Sequence, residues 1–203
     1  RDMHDEVGAT LTEIAILSEL TKREIADGAA TDRHVQKISE RSRGVIDSIS
    51  QIIWAINPTN DHLDNLAAYL RTHAIQYFTH SSIQCRVDFP DTLPDFHFTA
   101  ESRRNIFLIV KEALHNVVKH SEASQVVIRL VVSNQVVAIA IEDNGKGFSS
   151  NEDTREGIGL HSMKKRAEDI GGNVEFEPNQ PSGTRVYLRI PMTSASGQKR
   201  NTI

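Results

Sequence analysis

The densest group of reactive residues lies between positions 141 and 160. Val137, Ile139 and Ile141 alternate along an apolar run that ends in Glu142-Asp143-Asn144-Gly145-Lys146-Gly147. A strand closing on a carboxylate and two glycines makes a turn where backbone can approach a flat ligand closely. Nine mostly polar residues follow, 148–156, in the manner of a flap, and Gly157-Ile158-Gly159-Leu160 then opens a segment with helical spacing. Glycines at a helix start leave free N–H groups and the positive dipole end facing outward, which suits phosphates. Alone, each Gly pair is also compatible with an ordinary loop, the first of them a β-turn. Their order and spacing together favour a nucleotide.

A second group lies upstream. Glu112, Asn116, Lys119 and His120 fall at i, i+4, i+7 and i+8, and on a regular helix they share one stripe. An Asn amide oxygen beside a carboxylate suits Mg²⁺ held mainly by phosphates, and Lys and His supply donors to those phosphates. A polar stripe is equally the form of a solvated helix face. The third group is His4-Asp5. A carboxylate beside an imidazole can hold the ring N–H, fix the tautomer and leave the other nitrogen as a nucleophile. The plainer reading is a solvated His near a helix end. No second ligand stands at metal-binding spacing around His4, and His34 reads as surface.

These groups need elements to carry them. Residues 1–56 contain no proline and read as a helical hairpin. Val7, Leu11, Ile14, Leu17 and Ser18 mark its first arm. Ile38, Ser42, Val45, Ile49, Ile52 and Ile56 step by four and three along the second, which is a heptad seam. Gly28 and the following Thr31 and Asp32 supply a stop and a cap between the arms. Two helices alone bury too little apolar surface, so a dimer forming a four-helix bundle is expected. Asn57-Pro58 ends the second arm, because a residue before proline resists the helical region.

Beyond this hinge, residues 61–80 read as an amphipathic helix with Leu63, Leu66, Ala67, Leu70, Ala74, Ile75 and Phe78 on one side. A short strand spans 83–89. Thr99 can cap a helix over 99–121, with Ile106, Ile109, Val110, Ala113 and Val117 as its buried face. Strands follow at 126–132 and 136–141, then a helix over 160–170 and strands at 174–177 and 185–190. Val186, Leu188 and Ile190 alternate with Arg185, Tyr187 and Arg189, so one face of the sheet is covered and the other is wet. The fold class is therefore α+β: an antiparallel helical hairpin in a dimeric bundle, then an α/β sandwich. Its sheet is mixed and mainly antiparallel, with helices on one face.

The totals narrow the function class. With 38% hydrophobic and 25% charged residues the composition is that of a globular protein, and a net charge of -4 gives no reason to expect nucleic acid. The single cysteine, Cys85, excludes an intrachain disulfide and fits a reducing, cytoplasmic compartment. No apolar run approaches the ~20 residues of a membrane span. The chain opens inside a pattern already under way and without an initiator Met. It reads as a fragment, with any membrane or sensory segment lying outside it.

Taken in order, the motifs resemble the core of a bacterial sensor histidine kinase over nearly the whole chain. Glu112-Ala113-Leu114-His115-Asn116-Val117-Val118-Lys119-His120 is similar to that family's Asn-containing box. Asp143-Asn144-Gly145-Lys146-Gly147 and Gly157-Ile158-Gly159-Leu160 are similar to its two glycine boxes, and Gly183-Thr184 to its late Gly-Thr. Arg1-Asp2-Met3-His4-Asp5 resembles the phosphoacceptor box of the class carrying His-Asp.

The resemblance implies a dimerisation and phosphotransfer domain over 1–60. An ATP-binding catalytic domain of the kind shared with gyrase and the Hsp-ninety chaperones would span 61–192, and a polar tail expected to be disordered 193–203. It implies ATP and Mg²⁺ as cofactors, a homodimer, and the receiver domain of a response regulator as partner. His4 would accept the phosphoryl group and Asp5 would orient it and take up or share its proton. Asp143 would accept the adenine amino group, with Thr184 supporting the base. Asn116 would bind Mg²⁺, with Glu112 near it, directly or through water. Lys119, His120 and the stretch Gly157, Gly159, Leu160 would hold the triphosphate, behind the turn at Gly145 and Gly147. The sandwich would swing on residues 57–61 to reach His4. Relatives that dephosphorylate their partner often place Gln four residues after the acid, or Thr or Asn three after it. Ala9 and Gly8 stand there, so weak or absent phosphatase activity is expected. A conformational ATPase and a non-catalytic, nucleotide-dependent dimeric module are the alternatives; neither uses His4-Asp5.

Overall fold

A computed structural model describes residues 2–26, 32–147 and 158–192, with backbone alone for 2–8, 22–26, 32, 33, 47 and 158. Two compact units part between Ile56 and Asn57. The first is a pair of helices, α1 (Asp2–Ala26) and α2 (Asp32–Ile56). Leu17, Thr21, Val45 and Ala55 are buried within it. Thr21 escapes a purely apolar reading; its hydroxyl donates to the Leu17 carbonyl at 2.8 Å, which satisfies it inside the helix.

The heptad seam expected on α2 divides in two. Val45 turns inward, with Ile38 and Ile52 half-buried, whereas Ile49 and Ile56 are exposed. They join Val35, Ile46 and Ile53 in a second apolar stripe facing outward, and Leu11 on α1 is 52% exposed rather than in the seam. The cause is geometric. A wide apolar band on a helix can serve two neighbours, and the hairpin provides only one.

The second unit holds the remaining elements. Helix α3 (Leu63–Phe78) buries Leu63, Leu66, Ala67, Leu70, Ala74 and Phe78. Ile75, expected on the same side, is 52% exposed, because it stands just outside the arc those six positions define. Strand β1 (Gln84–Asp88) leads to helix α4 (Ala100–Asn116), whose cap is Thr99: its hydroxyl accepts from the Ser102 N–H at 3.0 Å. A hairpin of β2 (Gln125–Ser133) and β3 (Val136–Asp143) turns through Asn134 and Gln135, both at positive φ, as a tight two-residue connection requires. Helix α5 (Ile158–Asp169), β4 (Asn173–Pro178) and β5 (Thr184–Pro191) complete the unit.

The sheet order is β1-β2-β3-β5-β4, with β1 parallel to β2 and every other pair antiparallel. Ile128, Leu130, Ile139, Ile141 and Leu188 are almost fully buried on the face that packs with Ile106, Ile109 and Leu114 of α4 and Met163 of α5. The opposite face is laced with ions. Arg129 and Arg185 both pair with Glu142, and Arg185 and Arg189 flank the Tyr187 ring at 4.6 and 5.5 Å.

The segment joining the units in sequence is held by the second. Buried Arg103 donates to the Asn57 carbonyl at 3.2 Å and to the Phe98 carbonyl at 2.6 Å. A 3-10 turn at Pro58–Asn60 follows, capped by the Asn57 side chain accepting from the Thr59 N–H. Residues 57–60 thus belong to the second unit.

Candidate functional site

The site is built on the C-terminal half of α4, with a glycine turn at one end and the first turn of α5 at the other. Asp143 closes β3 and is buried; its Oδ1 accepts from the Gly145 N–H at 2.8 Å, an Asx-type turn that bends the chain back on itself. Gly145 then passes against the end of α4. A Cβ there would collide with the Ser121 carbonyl and lie 2.9 Å from the Ser121 Cβ. That carbonyl accepts from the Lys146 N–H at 2.8 Å, so the turn is stitched to the helix end. Gly147 has φ of 73° and faces the Gly183 carbonyl. Gly183, immediately before Thr184 and the start of β5, presses on Asp143 so closely that any side chain would strike the Asp143 carbonyl.

At the other end, Gly159 in the first turn of α5 lies against the Glu112 carboxylate, which a Cβ there would push aside. Asn116 is half-buried one turn beyond Glu112, between the two contacts. Thus Glu112, Asn116, Asp143, Gly145, Gly147, Gly159 and Thr184 gather around one helix end. Leu160 is half-buried beside Gly159.

Lys119 and His120 depart from the expected stripe. The α-helix stops at Asn116, and Val117–Ser121 forms a π turn before Glu122 takes a left-handed conformation at φ of 56°. Each residue of a wider i→i+5 turn advances by a smaller angle, so positions 119 and 120 leave the line of Glu112 and Asn116. Both are exposed. The same widening presents the Ser121 carbonyl to the glycine turn, while the Ser121 hydroxyl donates to the Val117 carbonyl at 2.6 Å. Lys146 pairs with Glu122 at 2.9 Å, which holds that carboxyl below its ordinary range.

Several supporting residues carry no motif of their own. The Asn144 Oδ1 accepts from the Ser124 and Gln125 N–H groups, pinning the glycine turn to the start of β2. Asn179 donates through Nδ2 to the Asp143 carbonyl at 2.8 Å, and its N–H donates to Gly183 at 2.9 Å. Asn144 could have been found from its place beside Asp143; Asn179 could not, since its partner is 36 positions away. His4 and Asp5 lie on α1, but their side chains, together with Gly157 and the 148–156 flap, are outside the described residues.

Residues 101–194 match the model of the histidine kinase-, DNA gyrase B-, and HSP90-like ATPases, and residues 1–61 match a histidine kinase model. The chain is 26% identical over 193 residues to the sensor histidine kinase LiaS of Bacillus subtilis, covering 95% of this chain and 52% of that protein. It is 28% identical over 192 residues to the histidine-protein kinase/phosphatase UhpB of Salmonella typhimurium, covering 94% and 37%. The chain thus spans about half the length, or less, of these curated relatives. In fold it is similar to the Acinetobacter baumannii histidine kinase AdeS, with a TM-score of 0.61 at 17% identity over 94% of this chain and 98% of that one.

Proposed function

We propose, from the premise that this chain belongs to the two-component sensor histidine kinases, that it transfers the γ-phosphoryl group of ATP to His4 and passes it to an aspartate of a response regulator. The observation that carries the reading is the convergence on α4. The buried Asp143 turn abuts the π turn that follows α4, and Gly159 abuts Glu112 one turn before the end of α4. An acceptor fixed at the base of a glycine turn suits the adenine amino group. A helix start packed without side-chain bulk suits the triphosphate. Thr184 would support the base from the start of β5, and Lys119 and His120 would meet the phosphates from the exposed π turn.

The oxygen donors of Asn116 and Glu112 fit Mg²⁺, and the glycine at 159 leaves the Glu112 carboxylate room beside the first turn of α5. Bound there, the ion would neutralise phosphate charge. The rest of the chemistry belongs to the chain. Phosphoryl transfer proceeds through a loose transition state, so alignment and charge neutralisation supply most of the acceleration. The bond between the γ-phosphorus and the bridging oxygen breaks as a bond from the His4 ring nitrogen forms. Asp5 orients the ring and takes up or shares its proton, and ADP leaves.

We assign dimerisation and phosphotransfer to 1–60 and nucleotide binding to 61–192, with the outward stripe of α2 as the surface that a second copy covers. Among the described residues no helix is long and apolar enough to cross a membrane. We propose a cytoplasmic position, where the ATP this reaction consumes is available.

The test is incubation with γ-labelled ATP and Mg²⁺. Acid-labile, base-stable label should appear on the chain, vanish in His4→Gln while nucleotide still binds, and vanish in Asn116→Ala together with nucleotide binding. Released phosphate without label on the chain would replace the kinase by an ATPase.

A further inference from the structure

Four side chains gather at the entrance of the second unit, away from the nucleotide residues. His62 and His97 face each other across an isolated β-bridge, with ring centroids 4.0 Å apart. The backbone there is held from both sides: Leu63 N–H donates to the Phe96 carbonyl and Phe98 N–H to the Asp61 carbonyl, each at 2.8 Å. Asp61 spans the two rings at one end, its Oδ1 lying 3.7 Å from His62 Nε2 and its Oδ2 3.0 Å from His97 Nδ1. Asp95 spans them at the other, its Oδ1 lying 3.0 Å from His62 Nδ1 and 3.6 Å from His97 Nε2.

We propose that Asp61, His62 and His97 form a binding site for a late first-row divalent cation of the Zn²⁺ class, with Asp95 orienting both imidazoles. One ligand atom from each of the three lies within 4.8 Å of the other two. Donors around a tetrahedral ion at 2.0–2.1 Å stand about 3.3 Å apart, and the Asp61 carboxylate already reaches each ring near that spacing, through Oδ2 at 3.0 Å from His97 and Oδ1 at 3.7 Å from His62. Two imidazoles and one carboxylate select Zn²⁺, Ni²⁺ or Cu²⁺ over Mg²⁺, which prefers an all-oxygen shell. Each ring has one nitrogen toward Asp61 and the other toward Asp95, the arrangement in which a second carboxylate fixes the tautomer of a ligating His. Half-exposed rings leave the remaining coordination positions to water.

The bridge supplies the rigidity such a site needs. Asp61 and His62 precede buried Leu63 at the start of α3, and His97 precedes buried Phe98, whose carbonyl is held by Arg103. An ion here would rivet the first residues of the second unit to the loop before α4. The inference is independent of the kinase reading, because none of these residues belongs to the nucleotide motifs.

The experiment is titration of the full 203-residue chain with Zn²⁺ by calorimetry, and with Co²⁺ by visible absorption. One equivalent should bind with d–d bands of a low-coordinate site, and excess Mg²⁺ should not displace it. The His62→Ala/His97→Ala double variant should lose that equivalent, and Asp95→Asn should weaken it about 10–100-fold. Should the double variant unfold, imidazole NMR of the unsubstituted chain decides: Zn²⁺ must shift the His62 and His97 ring signals before those of the other histidines. Unchanged binding in a folded double variant, or first shifts at other histidines, overturns the site.

Discussion

The two units of this chain solve the same problem to different degrees. The second closes its own core: Ile106, Ile139 and Leu188 have essentially no exposed surface, and both layers come from one chain. The first leaves Ile46, Ile53 and Ile56 about three-fifths exposed and buries only Leu17, Thr21, Val45 and Ala55 among its described side chains. A sheet with helices on one face has two layers within itself, whereas a helix pair has a single seam. One unit thus closes its own core, and the other leaves an apolar stripe exposed among its described residues. The second copy proposed above would cover that stripe.

The strongest way to break the contrast is to make the outward stripe polar. Ile49→Asp with Ile53→Asp removes apolar side chains each contributing about 1.5–3 kcal/mol when covered. Self-association should weaken roughly 100-fold or more in sedimentation equilibrium, while nucleotide affinity is unchanged. Association that survives would move the dimer surface elsewhere.

The converse change is Ile139→Ala, which opens a cavity in the middle of the sheet. Urea unfolding should show a loss of about 2–5 kcal/mol in the second unit, with self-association intact. If both properties fall together, the units are not energetically separate.

A smaller effect is expected at the site. Gly145→Ala forces the turn away from the Ser121 carbonyl, at a cost of about 1–3 kcal/mol. Binding of a fluorescent ATP analogue should drop on the order of tenfold or more, again leaving association alone.

The smallest signal comes from Cys85 on β1. Burial pushes its thiol above the ordinary range. The native state therefore holds this proton more tightly than the unfolded chain does. The associated stability is present below the unfolded thiol's range and declines as pH rises through the folded one. Alkylation in mildly alkaline buffer should be slower for native protein than for protein in urea, and Cys85→Ser should remove the weak alkaline decline. Equal alkylation rates would mean that β1 opens readily.

Legibility in the sequence varied with the range of the interaction. The strands were readable because Val137, Ile139 and Ile141, or Val186, Leu188 and Ile190, carry a period-two signal within one element. Thr99 was readable as a cap because its partner is three residues away. The glycine motifs were readable because Gly145 must pass a backbone and Gly147 must take φ of 73°, which restricts the residue type locally. The π turn was not readable: Val117–Ser121 have ordinary helix-compatible side chains, and the Lys146 N–H that docks on the Ser121 carbonyl lies 25 positions away.

By itself, then, the sequence determined which residues are apolar at which period, where helices start and stop, and which turns demand glycine. Each of these is decided by sterics and hydrogen bonds over a few residues. Only the tertiary structure decided which half of the α2 band faces α1, that Asn179 braces the Asp143 carbonyl, and that Asp61 and His62 meet His97. Such pairings depend on how far each layer tilts and slides until its polar groups are satisfied, and local spacing carries no record of that.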